Sequence, residues 1–250
     1  MIRLFTAALA ALVFAGTAFA QGTPPTVFMT AWKCDQSAMG DLADTARERM
    51  LPIAQAMKDE GTIQNYAVLG HHWGDEWNFM TVLMADDLAS GHEASAELRE
   101  RYSAENDPAA TLLDHCTSHR DAVHAGAWQT QRGRPIEPGM TVAVSHFACP
   151  FTTIGAIIEA HERVLLPASQ ASVDEGHGLF VAATRHEYGD EWTYAIWRAA
   201  SDLPAFVAFN ADANERATAL AQELMPDAEN PMNACTAHKD NIYGVIAATN

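Results

Sequence analysis

One pattern is written twice in this chain. His71-His72-Trp73-Gly74-Asp75-Glu76-Trp77 returns as His186-Glu187-Tyr188-Gly189-Asp190-Glu191-Trp192, an offset of 115 (186 − 71) that also relates Cys34 to Cys149, Leu51-Pro52 to Leu166-Pro167 and Asp59-Glu60-Gly61 to Asp174-Glu175-Gly176. Farther on the offset becomes 119 (235 − 116), matching Cys116-Thr117-Ser118-His119-Arg120-Asp121 to Cys235-Thr236-Ala237-His238-Lys239-Asp240. Two copies of this length exclude a solenoid, whose units are shorter and more numerous. They imply two similar units packed about an approximate two-fold axis.

The N-terminus reads as a signal peptide over residues 1–20: Arg3, an apolar run from Leu4 to Phe19, and small residues at Ala18 and Ala20 before Gln21. A periplasmic or secreted protein is expected, with no membrane association after cleavage. Without Arg3 the chain has 14 basic and 32 acidic residues, a net charge of −18. Such a surface repels phosphate backbones and anionic lipid, which argues against nucleic-acid and membrane-surface functions.

The cysteines fall two per repeat in a chain expected in an oxidising compartment, where disulfides are the default. Four cysteines allow three connectivities. The duplication favours Cys34–Cys116 with Cys149–Cys235, the only pairing open to a single ancestral unit. The rival reading, Cys-x-x-His metal half-sites, lacks a second Cys-x-x pair, and no metal is expected.

Each repeat reads strand, helix, strand, hairpin, strand, helix, strand. Thr26 to Trp32 and Met140 to Phe147 are β-rich. Ser37 to Glu60 and Thr152 to Glu175 are helical patterns stopped by Gly61 and Gly176, with a kink or break expected at Pro52 and Pro167. Hairpins are expected from Ile63 to Ala85 around Gly74-Asp75, and from Leu179 to Ala199 around Gly189-Asp190. Second helices follow the N-caps Asp87 and Asp202, and last strands cover Thr117 to Ala125 and Thr236 to Ile246.

The order βαββαβ is the ferredoxin-like plait. The fold class is α+β, with plaits at 26–125 and 140–246 and a Pro/Gly-rich linker at 126–139. A plait leaves one sheet face bare, so the two sheets are expected to face each other as a pseudo-two-fold barrel, closed without an oligomer. With strand order 4-1-3-2, Cys34 ends strand 1 beside Cys116 at the start of strand 4, in agreement with the pairing above. The unit, with its acidic Glu-Trp hairpin running into Ala195 to Leu203, resembles the dimeric α/β-barrel superfamily. That superfamily includes small monooxygenase-like, stress-responsive and haem-handling members, and the resemblance implies the fold more than the function.

The plait gathers the end of strand 1, the hairpin and the start of strand 4 at one end. The candidate residues there are His71, Asp75, Glu76, His119 and Asp121, with His186, Asp190, Glu191, His238 and Asp240 as their counterparts. Histidine beside carboxylate can exchange protons near neutral pH. Alternatively, Gly-Asp makes a turn, Trp packs, and the polar residues satisfy strand ends. No motif supports a cofactor: phosphate loop, nucleophile elbow, His-Glu-x-x-His and Cys-x-x-Cys-His are all missing from the sequence.

The expected function is binding of a small, mostly apolar molecule in or between the barrel-forming sheets. The alternatives are a cofactor-independent monooxygenase- or isomerase-type enzyme using His/carboxylate proton transfer, and a structural or partner-binding module. Non-reducing peptide mapping is expected to return Cys34–Cys116 and Cys149–Cys235; a peptide joining the repeats would refute the pairing.

Overall fold

The computed structural model describes residues 24–74, 76–105, 112–131 and 136–250, so the expected signal peptide and Asp75 lie outside the described residues. The strands are β1 (Thr26–Cys34), β2 (Asn65–Trp73), β3 (Phe79–Ala85), β4 (Cys116–Gln129), β5 (Thr141–Ala148), β6 (Phe180–Tyr188), β7 (Tyr194–Ala200) and β8 (Ala237–Ala248). They form a closed barrel in the order β1-β3-β2-β8-β5-β7-β6-β4. Each repeat therefore has the internal order 4-1-3-2. The two sheets are also hydrogen-bonded edge to edge, β2 to β8 and β4 to β6, all antiparallel.

The helices are α1 (Met39–Thr45), α2 (Leu51–Asp59), α3 (Leu88–Glu105), α4 (Phe151–Arg163), α5 (Leu165–Asp174) and α6 (Leu203–Leu224). Proline acts differently in the two halves. Before Pro52 the chain relaxes through one π turn, Ala46–Met50, and stays helical into α2. Before Pro167, Val164 leaves helical geometry (φ −120°, ψ −60°) and separates α4 from α5. Gly61 (φ +79°) and Gly176 (φ +81°) stop α2 and α5, and the following N–H closes back on Met57 and on Ser172. Asp202 caps α6 through the Ala205 N–H, and Asp87 accepts from the Ser90 N–H at the start of α3.

Two expectations need correction. The hairpins are not tight two-residue turns: the β2–β3 ladder ends at Gly70↔Phe79, so Glu76 and Trp77 lie in a loop. One more backbone bond follows, from the His71 N–H to the Asn78 C=O at 2.9 Å, while on the β1 side the Asn78 side-chain amide binds both the N–H and C=O of Cys34 at 2.8 Å in place of the next β1–β3 rung. Its counterpart Thr193 binds the Cys149 N–H at 2.7 Å. Second, Gly126 to Gln129 belong to β4, where they pair with Thr184, Ala183 and Ala182 of β6, and the linker starts after them. Glycine is needed at 126 because a Cβ there would stand 2.4 Å from Pro24.

Both disulfides are present, Cys34–Cys116 and Cys149–Cys235. The barrel interior is filled by Val27, Met29, Leu69, Met80, Val82, Val142, Val144, Phe180, Trp197 and Val245 among others. Among the described residues, spaces of about 30 and 20 Å³ lie at the end opposite the hairpins. The outer sheet faces pack on the helices in two further cores, one per repeat.

Gly189 has φ +117°, and a Cβ there would lie 2.2 Å from the Asp121 carbonyl oxygen, a backbone atom. Gly74 has φ +138°, its nearest clash is the Asn241 side chain, and the backbone atom it meets, the Asp240 carbonyl oxygen, is farther away at 2.8 Å than the 2.2 Å at Gly189. Gly189→Val is expected to destabilise the fold by roughly 2–4 kcal/mol and Gly74→Val by less, because a side chain yields where backbone does not. Thermal melts of the two variants give the order directly.

Candidate functional site

The polar residues singled out by the repeat do meet at one end of the barrel, but they divide among three places. His119 and Asp121 stand on the outer face of β4, with His119 Nε2 at 3.6 Å from Asp121 Oδ2. Thr30 on neighbouring β1 donates to Asp121 Oδ1 at 2.7 Å, and the Trp32 ring lies 4.8 Å from the His119 ring. These four residues form one wall of a cavity of about 380 Å³ between the sheet of repeat 1 and its helices. Phe28, Met50, Leu83, Leu98 and Tyr102 make it mostly apolar, and Ser95 and Arg99 of α3 add polar atoms. The Trp32 indole N–H is buried without a hydrogen-bond partner. Alternation along β1 explains the placement: Val27 and Met29 face the barrel, so Phe28, Thr30 and Trp32 face the helices.

In repeat 2 a space of about 340 Å³ lies among the helices, lined by Leu165 and Ala217 but by no residue of the sheet. His238 and Asp240 are 3.9 Å apart and exposed, and the Phe147 ring lies 6.1 Å from the His238 ring, where Trp32 lies 4.8 Å from His119. Arg198 occupies the position of Leu83 and donates from Nη1 to Ser145 Oγ, the counterpart of Thr30, at 3.1 Å. Burial lowers the Arg198 pKa, opposed by Asp240. A long cationic side chain thus lies across the surface that is open in repeat 1.

The third group is inside the barrel mouth. His124 of β4 pairs in register with His186 of β6, their rings 5.7 Å apart, and the Asp190 carboxylate sits 3.7 Å from His124 Nε2 and 4.0 Å from His186 Nε2. His146 of β5 is buried beside them, its ring 5.8 Å from Trp192. Burial, with His124 next, pushes the His146 pKa down to about 4 and lowers that of His186. Burial alone would raise Asp190; the His124 imidazole, the Trp192 N–H and Arg120 outweigh it and hold the carboxyl ionised. His124 was not singled out by the sequence pattern, although it lies two residues from barrel-facing Ala122 on the same strand face.

The remaining candidates have structural partners. Glu76 pairs with Lys33 at 2.5 Å, and Glu191 approaches Arg120 at 3.6 Å; both carboxylates are exposed. Arg120 also lies over the Trp77 ring. His71 packs against Tyr243 at 5.4 Å. Among the described residues no three His, Cys, Asp or Glu side chains stand at bonding distance from a common point, and no helix is long and apolar enough to cross a membrane.

By sequence, no protein family and no curated protein matches the chain. By structure, a provisionally assigned monooxygenase from Lactobacillus acidophilus NCFM superposes with a TM-score of 0.59 at 6% identity, covering 91% of this chain and 96% of that one. A second, from Fusobacterium nucleatum subsp. nucleatum ATCC 25586, gives 0.63 at 9% identity over 91% and 95%. An anthrone oxidase-like protein gives 0.57 at 15% identity over 91% and 93%. This chain has the dimeric α/β-barrel fold, with both halves in one polypeptide. At these identities the likeness extends to the fold alone.

Two buried histidines bind fewer protons folded than unfolded: His146, and His161, which burial also pushes to about 4 and which hydrogen-bonds the Tyr194 hydroxyl at 2.9 Å. A depressed histidine pKa makes its stabilisation complete above about 6.5 and progressively lost as pH falls toward 4, by up to about 3 kcal/mol per histidine. The melting temperature is expected to fall between pH 7 and pH 5, before most carboxylates titrate, and the fall should be smaller in His146→Asn. An unchanged slope in that variant would assign the acid sensitivity elsewhere.

Proposed function

We propose that the protein takes a small, mostly apolar molecule into the cavity of repeat 1 and exchanges a proton with it through His119. The observation that carries this reading is a His/carboxylate pair on the wall of a ligand-sized apolar space. Binding sites for small molecules commonly measure 300–1,000 Å³ and combine apolar walls with a few placed polar groups. Asp121, fixed by Thr30, orients His119 and stabilises the imidazolium that forms when the ring accepts a proton. The flat aromatic wall of Phe28, Trp32 and Tyr102 favours a planar ligand, and the Trp32 indole N–H can donate to an oxygen on it.

A phenol or an enolisable ketone of one or two rings has the required shape and a proton of suitable acidity. Its deprotonation is the shared first step of isomerase chemistry and of oxygenation without a cofactor; two structurally similar proteins are provisionally assigned as monooxygenases. Simple carriage of such a molecule is the second reading, favoured by the apolar walls alone. Export from the cytoplasm is part of the proposal, supported by the Leu4 to Phe19 run and by two disulfides, which persist in oxidising compartments.

Quenching of tryptophan fluorescence by two-ring phenols and ketones is expected to show binding that Leu98→Trp abolishes by filling the cavity. On a turned-over member of the panel, His119→Gln should lower kcat by roughly 100-fold or more with KM little changed, as for loss of a general base. His238→Gln is the matched control and should leave both constants unaltered. Retained binding without turnover in the wild type would establish carriage, and binding insensitive to Leu98→Trp would move the site elsewhere.

A further inference from the structure

Two polar atoms on the wall of the repeat 1 cavity are buried without a hydrogen-bond partner, the Trp32 indole N–H and the Tyr66 hydroxyl. Donation from Trp32 to a ligand oxygen gives the first a use, and the second has none. Tyr66 is 2% exposed; along β2, Ala67 and Leu69 face the barrel, so Tyr66 and Val68 face the helices. The nearby Thr81 hydroxyl favours ionisation of the phenol but stands outside bonding geometry, and burial outweighs it and raises the Tyr66 pKa. Tyr66 is therefore a neutral donor without an acceptor, a defect that costs the fold stability.

Packing does not require the hydroxyl. The counterpart of Tyr66 in repeat 2 is Val181, fully buried on the corresponding face, and the counterpart of Thr81 is Ile196. In repeat 1 a polar row of Asp121, Thr30 and Thr81 runs in register across β4, β1 and β3 and stops at Val68, two residues from Tyr66. In repeat 2 the row is broken, since Asp240 and Ser145 are followed by Ile196. The polar corner thus belongs to the half with the open cavity and is missing from the half whose sheet Arg198 crosses. β2 and β4 are three strands apart, about 14 Å at the usual spacing, so Tyr66 and His119 bound opposite sides of one continuous space.

Resting on proton exchange at His119, we propose that the molecule taken into this cavity is elongated, that it carries a second oxygen acceptor such as a ketone at the end remote from the exchanged proton, and that Tyr66 donates its hydroxyl hydrogen to that oxygen. Tyr66 and its cavity neighbours Thr81 and Tyr102 are uncharged, which suits a carbonyl better than a carboxylate. Phe28 and Leu83, in register beside Tyr66, give the rings of the molecule an apolar floor. A molecule without the second oxygen leaves the hydroxyl unpaired when it binds, so Tyr66 selects by the bond that the wrong ligand fails to make.

The test titrates the full exported-length protein, wild type and Tyr66→Phe, with para-hydroxybiphenyl and with the same molecule acetylated at the opposite para position. Wild type should bind the acetyl compound roughly tenfold or more tightly than the plain phenol. Tyr66→Phe should bind the two alike, with its affinity for the plain phenol unchanged. Phenylalanine keeps the ring and removes the unpaired donor, so the melting temperature should hold or rise, whereas loss of a structural hydroxyl would lower it. If Tyr66→Phe fails to fold, the carbonyl infrared band of the acetyl compound bound to wild type decides: displacement to lower frequency than in an apolar solvent supports the bond, and an undisplaced band overturns it. Equal affinity of wild type for the two compounds, or a preference that survives Tyr66→Phe, overturns this proposal and leaves proton exchange in the cavity standing. Binding of neither compound, or binding unaffected by Leu98→Trp, overturns both.

Discussion

The hydrogen bonding of β2 to β8 and of β4 to β6 is the constraint on which the rest of this molecule depends. A single plait presents two bare sheet edges and one bare apolar face. Joining the edges removes both problems at once, since a closed barrel has no unpaired backbone and encloses the apolar faces as its core. Closure also fixes the position of everything functional. The two-fold relation runs along the barrel axis, so both hairpins and both disulfides fall at the same end. Among the described residues the interior is filled by apolar side chains below that end, and the larger cavity lies on the outer face beneath the helices of repeat 1.

Comparing the repeats separates framework from specialisation without reference to any other protein. The framework is kept in kind: Arg101 grips Glu60 and Glu97 while Arg216 grips Glu175 and Asp212, and Asn78 and Thr193 perform the same backbone substitution. Specialisation is unequal. Repeat 1 has Leu83 and an open cavity where repeat 2 has Arg198 lying across its sheet. At the mouth the imbalance is reversed, with histidines at 124 and 146 facing tyrosine and alanine at the equivalent places.

Much of this was legible in the sequence because duplication repeats its punctuation. The glycine stops, the aspartate caps, the prolines and the cysteine spacing are local signals, and each led to the right element and to the internal strand order. What stayed hidden was non-local. The pairing that turns Gly126 to Gln129 into strand comes from β6, far along the chain, so glycine and polar composition there resemble a linker. Asn78 ends a ladder early through a side chain, an event with no periodic signature. The His119/Asp121 pair was visible as two residues of alternate spacing, whereas His124 was not: its partners His186 and Asp190 come from the other repeat. The shape of the cavity was equally out of reach, since a leucine-for-arginine exchange in one strand decides it.

β4 carries a His/carboxylate group on each of its two faces. His119 and Asp121 look toward the helices, while Ala122 and His124 look into the barrel. Adjacent residues of a strand point to opposite sides, so a slip of one position would turn the cavity wall inward and the buried imidazole out. The ladder to β6 shifts register twice along this strand, between Val123 and His124 and between Gly126 and Trp128, and cannot by itself hold the setting. Cys116 is the first residue of β4 and is bonded to Cys34 at the end of β1. The unbroken β1–β4 pairs from Val27↔His124 to Lys33↔Ser118 keep the setting, and the bond, one register shift beyond them, pins the end of that ladder so that each letter of β4 stays on its own side of the wall.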